Sequence, residues 1–191
     1  LTSLINRFLT PMTDVILSHR GTIDKYIGDC IMAFWNAPLE DPDHQRQALM
    51  AAVKMLREVE LLNQKIEAEA RVAGRKFIPI KIGIGVNSGD VVVGNMGSDQ
   101  RFDYSVLGDA VNLASRLEGQ SKFYGVGVVV GEMTALACWG TVALIELDVI
   151  AVKGKAEAVR IFTVCGDERL LQDPRFKTFT ISHEEILSNY K

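Results

Sequence analysis

The stretch Asp103-Tyr104-Ser105-Val106-Leu107-Gly108-Asp109-Ala110-Val111-Asn112-Leu113-Ala114-Ser115-Arg116-Leu117-Glu118 carries the most organised pattern in the chain. It predicts a helix opening at Asp109 and running to Lys122. Asn112 and Arg116 stand one turn apart and share a face. Leu113 and Leu117 fall on the neighbouring stripe, suited to anchor the helix to a core. A paired amide and guanidinium can hold a ribose and a phosphate; a solvated polar helix face is the plain alternative.

Upstream of this stretch, Ile78, Ile80, Ile82, Ile84 and Val86 alternate with other residues, the period of a strand. Asn87-Ser88-Gly89-Asp90 reads as a turn back into Val91-Val92-Val93, and 94–103 as a polar, glycine-containing loop. Gly83-Ile84-Gly85-Val86-Asn87-Ser88-Gly89 superficially resembles a dinucleotide fingerprint, but its spacing is off by one and no helix opens after it.

Further upstream, Leu1, Leu4, Ile5, Phe8, Leu9, Met12 and Ile16 recur at helical spacing, with Pro11 a candidate kink and His19-Arg20-Gly21 an end. Ile23 to Ala33 reads as two strands around a Gly28-Asp29 turn. A second helix is expected from the Asp41-Pro42 cap, with Leu49, Ala52, Leu56, Val59, Leu62 and Ile66 on its stripe and Gly74 as its stop. Downstream come a short strand over 126–130, a short helix over 132–138, and two strands near 142–149 and 159–164. The loop joining those two strands carries Lys153-Gly154-Lys155.

This order of elements implies α+β packing, an antiparallel sheet with helices on one face. It is similar to a ferredoxin-like core lacking its first strand. The division expected is a domain over 1–166 and a polar extension over 167–191.

The apolar share of 48% and charged share of 24% belong to an ordinary globular domain. A net charge of −3 supplies no broad basic field, so neither nucleic acid nor an anionic membrane is an expected partner. Cys30, Cys138 and Cys165 match no zinc or disulfide spacing, and reduced thiols in a cytoplasmic compartment are the plain reading. The chain opens on Leu1 within a helical pattern. It is expected to be a piece of a longer protein, which leaves room for an upstream sensor or membrane domain.

Three further positions are candidates for chemistry. Asp29 sits at a tight turn inside apolar sequence, where a carboxylate can bind Mg²⁺ through hard oxygen or simply serve the turn. Lys25 lies on the preceding strand, where a solvated lysine is the default. Lys153 and Lys155 flank a glycine and can touch a triphosphate or simply face water.

Taken together, these positions match a known pattern. Asp24-Lys25-Tyr26-Ile27-Gly28-Asp29-Cys30-Ile31-Met32-Ala33-Phe34, then Gly94-Asn95-Met96-Gly97-Ser98 with the run 103–118, then Val152-Lys153-Gly154-Lys155, resemble in order and spacing the signatures of class III adenylate and guanylate cyclases. The resemblance covers roughly residues 1–165.

It implies an enzyme making cyclic AMP and pyrophosphate from ATP in a signalling pathway. Two Mg²⁺ or Mn²⁺ ions per site would assist attack of the ribose 3′-hydroxyl on the α-phosphorus. Asp29 matches the second metal-binding aspartate. The first belongs to a strand that would lie before Leu1, so this stretch alone is short of a full metal site and open to being inactive by itself. Lys25 and Ser105 match the pair that reads the base. An ammonium only donates and a hydroxyl can accept, which suits adenine, whereas guanylate cyclases carry an acid in place of Lys25. Serine is a variant, since many members place aspartate or threonine there. Asn112 matches the ribose-orienting residue, Arg116 the transition-state arginine, and Lys153 the lysine on the terminal phosphates. Two copies head to tail would share two sites. The readings set beside this one are a guanylate cyclase and a non-catalytic nucleotide-binding regulatory domain of the same fold.

Overall fold

The computed structural model describes residues 2–151 and 158–190, and the chain divides into two units, Leu1–Ile82 and Gly83–Lys191. In the first unit, helix α1 (Thr2–Ser18) continues unbroken past Pro11 and buries Met12, Val15 and Ile16. It packs against helix α2 (His44–Val72). Arg7 clasps Glu69 with two hydrogen bonds, of 2.8 and 2.7 Å. The left-handed residue ending α1 is Arg20, with φ 63°. Gly21 has a different reason to be glycine: a Cβ there would lie 2.6 Å from Ile16 Cγ2 and 2.8 Å from the Trp35 ring.

Strands β1 (Thr22–Ile27) and β2 (Cys30–Phe34) form the expected antiparallel hairpin. Helix α2 starts later than Asp41-Pro42 suggests. Asp41 Oδ1 accepts from the Asp43 amide at 3.0 Å, and Asp43 is the cap. The acid expected at the cap instead shapes the turn ahead of it. Along α2, Leu49, Ala52, Val59 and Leu62 are buried and Leu56 and Ile66 half-buried, as the stripe predicts. Gly74, at φ +62°, ends the helix while Arg75 N donates to Ala70 O at 2.9 Å.

The long alternating strand read over 78–86 is regular only as β3 (Ile84–Val86). A strand needs a ladder, and no described residue pairs with 77–82 in one. Instead the Asn63 amide stands in for a neighbouring backbone, donating to Ile80 O and accepting from Ile80 N, both at 2.8 Å.

In the second unit, β3 does not turn back on β4. It pairs in parallel with β6 (Val128–Gly131), in a four-stranded sheet of order β3-β6-β8-β7. The strands β7 (Ala143–Ile150) and β8 (Val159–Gly166) complete it in antiparallel fashion. The α+β class stands, but the sheet is mixed, because the long excursion between β3 and β6 includes helix α3 (Asp109–Tyr124) and returns the chain in the same direction. The stretch 94–103, read as a loop, belongs to a separate hairpin of β4 (Val92–Ser98) and β5 (Arg101–Leu107) turning at Asp99-Gln100. Its polar and glycine-rich sequence hides its pairing, since most of its side chains are exposed.

Leu113 and Leu117 of α3 pack with Val129 and Ile161 into the core of this unit. Short helix α4 (Glu132–Ala137) follows β6 as expected. The extension beyond residue 166 carries helices α5 (Glu168–Gln172) and α6 (Pro174–Tyr190). Phe176, with Leu170 and Leu171 beside it, seats on Ala143 and Ile145 of β7. His183 Nε2 meets Glu146 O at 2.6 Å.

Candidate active site

Lys25 and Asp29 ride on the β1–β2 hairpin. Ile27 pairs with Cys30 across a two-residue turn whose first residue, Gly28, takes φ +66°. Positive φ at that position suits glycine, and the turn type matches strand twist. Asp29 therefore stands at an exposed tip with its carboxylate in solvent. The base of the hairpin is pinned by Trp35 Nε1 donating to His19 O at 2.9 Å and Thr22 Oγ1 donating to Ala37 O at 2.7 Å. Tyr26 shares a 2.8 Å hydrogen bond with Thr13 of α1. The result is an exposed tip on a fixed support.

Helix α3 carries Asn112 and Arg116 and lies close on β3. A Cβ on Gly83 would collide with the Ser121 side chain, and one on Gly85 with the backbone of Ala114 and Glu118. The glycines that superficially resembled a dinucleotide fingerprint thus serve helix–strand contact. Asn87 Nδ2 donates to Ala110 O at 3.0 Å, tying the end of β3 to the first turn of α3. At the other end, Tyr124 OH donates to Asp148 Oδ2 at 2.7 Å. Burial first, and then that bond and the carboxylate charge, push the phenol up to about 12.

On this fixed helix Asn112 is exposed and Arg116 half-buried. Arg116 Nη1 is buried and has no hydrogen-bond partner among the described residues. Ser105 lies on β5 opposite Gly94, with 5% of its surface exposed.

The predicted residues thus form two sets. Lys25 and Asp29 belong to the first unit; Ser105, Asn112 and Arg116 belong to the second. Lys153, with the whole Val152–Lys155 motif, lies outside the described residues. Sequence reading passed over Asp24, whose Oδ1 lies 3.1 Å from Lys25 Nζ. Only the adjacency of an acid and a base hinted at it.

Among the described residues no group of three or more His, Cys, Asp or Glu side chains is placed to hold a metal ion. Mg²⁺, however, keeps several waters and is commonly held by one or two carboxylates together with substrate phosphates. The exposed Asp29 carboxylate fits that partial role. A groove of about 610 Å³ beside the start of α3 is flanked by Asp90, Asp109 and Glu132. Of these three carboxylates, that of Glu132 is paired with Arg160 at 3.5 Å. No helix among the described residues is long and apolar enough to cross a membrane.

Residues 1–166 match the family described as "Adenylate and Guanylate cyclase catalytic domain". An adenylate cyclase of Anabaena cylindrica is 38% identical over 164 residues, covering 84% of this chain and 31% of that protein. The solved adenylyl cyclase CyaB from P. aeruginosa superposes with a TM-score of 0.77 at 33% identity, over 88% of this chain and 84% of that one. The solved guanylyl cyclase Cya2 gives 0.75 at 32%, over 87% and 80%. The chain spans about a quarter to a third of the length of the curated relatives it matches first, 24% and 31%. A family match over residues 1–166, with relatives above 30% identity, makes this chain a member of the adenylate and guanylate cyclase catalytic domain family.

Proposed function

We propose that the chain is the catalytic domain of an adenylate cyclase that converts ATP to 3′,5′-cyclic AMP and pyrophosphate. The observation that carries this reading is the buried Nη1 of Arg116, without a hydrogen-bond partner among the described residues, on a helix that also presents Asn112. A buried N–H of a cation without an acceptor is costly. A phosphate oxygen is the acceptor whose charge best offsets that cost.

In the proposed reaction the ribose O3′ attacks the α-phosphorus in line. The new O3′–P bond forms, the bond to the pyrophosphate oxygen breaks with its electron pair leaving on pyrophosphate, and the hydroxyl proton passes to solvent water. Asn112 orients the ribose. Arg116 stabilises charge on the phosphate in the transition state, where a positioned arginine is worth on the order of 10³-fold. Lys25 donates to adenine N1 and Ser105 accepts from the 6-amino group. Lys153 grips the terminal phosphates. Mg²⁺ or Mn²⁺ held by Asp29 and phosphate oxygens supplies charge neutralisation when bound.

In a head-to-tail homodimer with two shared sites, the metal-binding Asp29 of one copy would meet the base, ribose and phosphate contacts supplied by the other. Residues 1–166 form the catalytic domain and 167–191 its extension, within a longer signalling protein whose catalytic part faces the cytoplasm.

The test is nucleotide turnover by the full-length protein with Mg²⁺ or Mn²⁺. Cyclic AMP from ATP, with Arg116→Ala lowering kcat by about 10³-fold and leaving the melting temperature in place, supports the reading. A guanylyl cyclase among the structural neighbours makes GTP the competing substrate. Preferential turnover of GTP reassigns the specificity, and nucleotide binding without turnover makes the domain regulatory.

A further inference from the structure

The Asp24 side chain is wholly buried, while that of Lys25 keeps 44% of its surface exposed. Consecutive residues of a strand ordinarily point to opposite faces. Here Asp24 Oδ1 and Lys25 Nζ meet at 3.1 Å. The register of the hairpin accounts for this. Ile23 opposes Ala33 and Lys25 opposes Met32, leaving Asp24 as an extra residue in β1. Such a bulge breaks the alternation and re-aims the side chains beside it.

A buried carboxylate is costly unless a cation is held against it. Lys25 brings a cation to this one, at 3.1 Å. The contact also confines a long, flexible side chain whose ammonium carries three donors.

We propose that Asp24 is a positioning residue for base recognition, pinning the Lys25 ammonium through the β1 bulge and requiring a cation at position 25. This rests on the reading above in which Lys25 contacts adenine. Two consequences follow from the charges. Without the carboxylate the ammonium loses its fixed place, so ATP binds more weakly while the chemical step, remote from the base, is little affected. An acid at position 25, which suits guanine, would sit against a buried negative charge. Recognition of guanine therefore requires that the charge of Asp24 be removed as well.

The experiment compares Asp24→Asn, Lys25→Glu, the double variant and Lys25→Gln in the full-length protein. It reads kcat and KM with ATP and with GTP, and the melting temperature of each. Asp24→Asn is expected to raise KM for ATP on the order of tenfold, with kcat within about twofold. Lys25→Glu alone is expected to melt earlier and lose activity with both nucleotides. The double variant is expected to recover the melting temperature and raise the GTP-to-ATP ratio of kcat/KM by about tenfold or more over the parent. An unchanged KM for ATP in Asp24→Asn, or a Lys25→Glu variant as stable and as active on GTP as the double, overturns the role of Asp24. Lys25→Gln separates the two claims. If it leaves the ATP-to-GTP ratio unchanged, base reading by Lys25 fails and this proposal fails with it. If it lowers the ratio, base reading stands whatever the outcome for Asp24.

Discussion

Gly85 of β3 passes so close to Glu118 of α3 that a Cβ on the glycine would come within 2.5 Å of the Glu118 amide nitrogen. The obstacle is helix backbone, which cannot swing aside as a side chain can. This contact sets how deeply α3 sits on the sheet, and with it the position of Asn112 and Arg116.

Gly85→Ala should therefore force α3 away from β3. Overpacking of this kind costs ~1–3 kcal/mol. Thermal or urea unfolding of the full-length protein should show that loss, and turnover should fall with it because the helix carries Arg116. An unperturbed melting temperature would show that the helix–strand spacing is softer than the geometry indicates.

Tyr124 predicts a dependence on alkaline pH. Its phenol is raised to about 12 in the folded protein by burial, by its bond to Asp148 and by that carboxylate's charge. An unfolded tyrosine titrates near ~10. The folded state thus holds the proton more tightly. This contribution to stability is complete below ~10 and is lost as pH rises from there toward 12. Tyr124→Phe should remove that part of the alkaline decline. Parallel stability curves for parent and variant between those limits would contradict the assignment.

Phe176 predicts what the extension does. It is 9% exposed and seats on Ala143 and Ile145. Phe176→Ala should cost about 3 kcal/mol, the low end for a buried phenylalanine, because its seat lies at the edge of the unit. Limited proteolysis should then cut beyond residue 166 sooner than in the parent, since α6 loses its anchor. Identical cleavage in both proteins would mean that other contacts hold α6.

Much of this was legible in the chain, for identifiable reasons. Amphipathic periods over α1, α2 and α3 marked their buried faces, because a helix must cover one stripe. The Gly28-Asp29 turn was legible because few residues tolerate its backbone. The parallel β3–β6 pair was not, because Asn87-Ser88-Gly89-Asp90 signals a change of direction without saying what the chain meets next. The β4–β5 hairpin was hidden by an exposed, polar sequence. The strand pattern over 78–82 expressed a local preference, whereas a ladder needs a partner. Helical spacing put Asn112 and Arg116 on one face of α3, while the roles proposed for them came from the resemblance. The Asp24–Lys25 contact depends on a bulge, a feature of pairing that no single strand spells out.

A complementation assay tests the site shared between copies most directly. Asp29→Ala and Arg116→Ala variants of the full-length protein are each expected to lose nearly all cyclase activity. Mixed in equal amounts and allowed to exchange partners, they should recover roughly a quarter of the parent's specific activity, because half of the dimers pair one variant with the other and hold one intact site of two. A mixture no more active than its parts would contradict a site shared between copies.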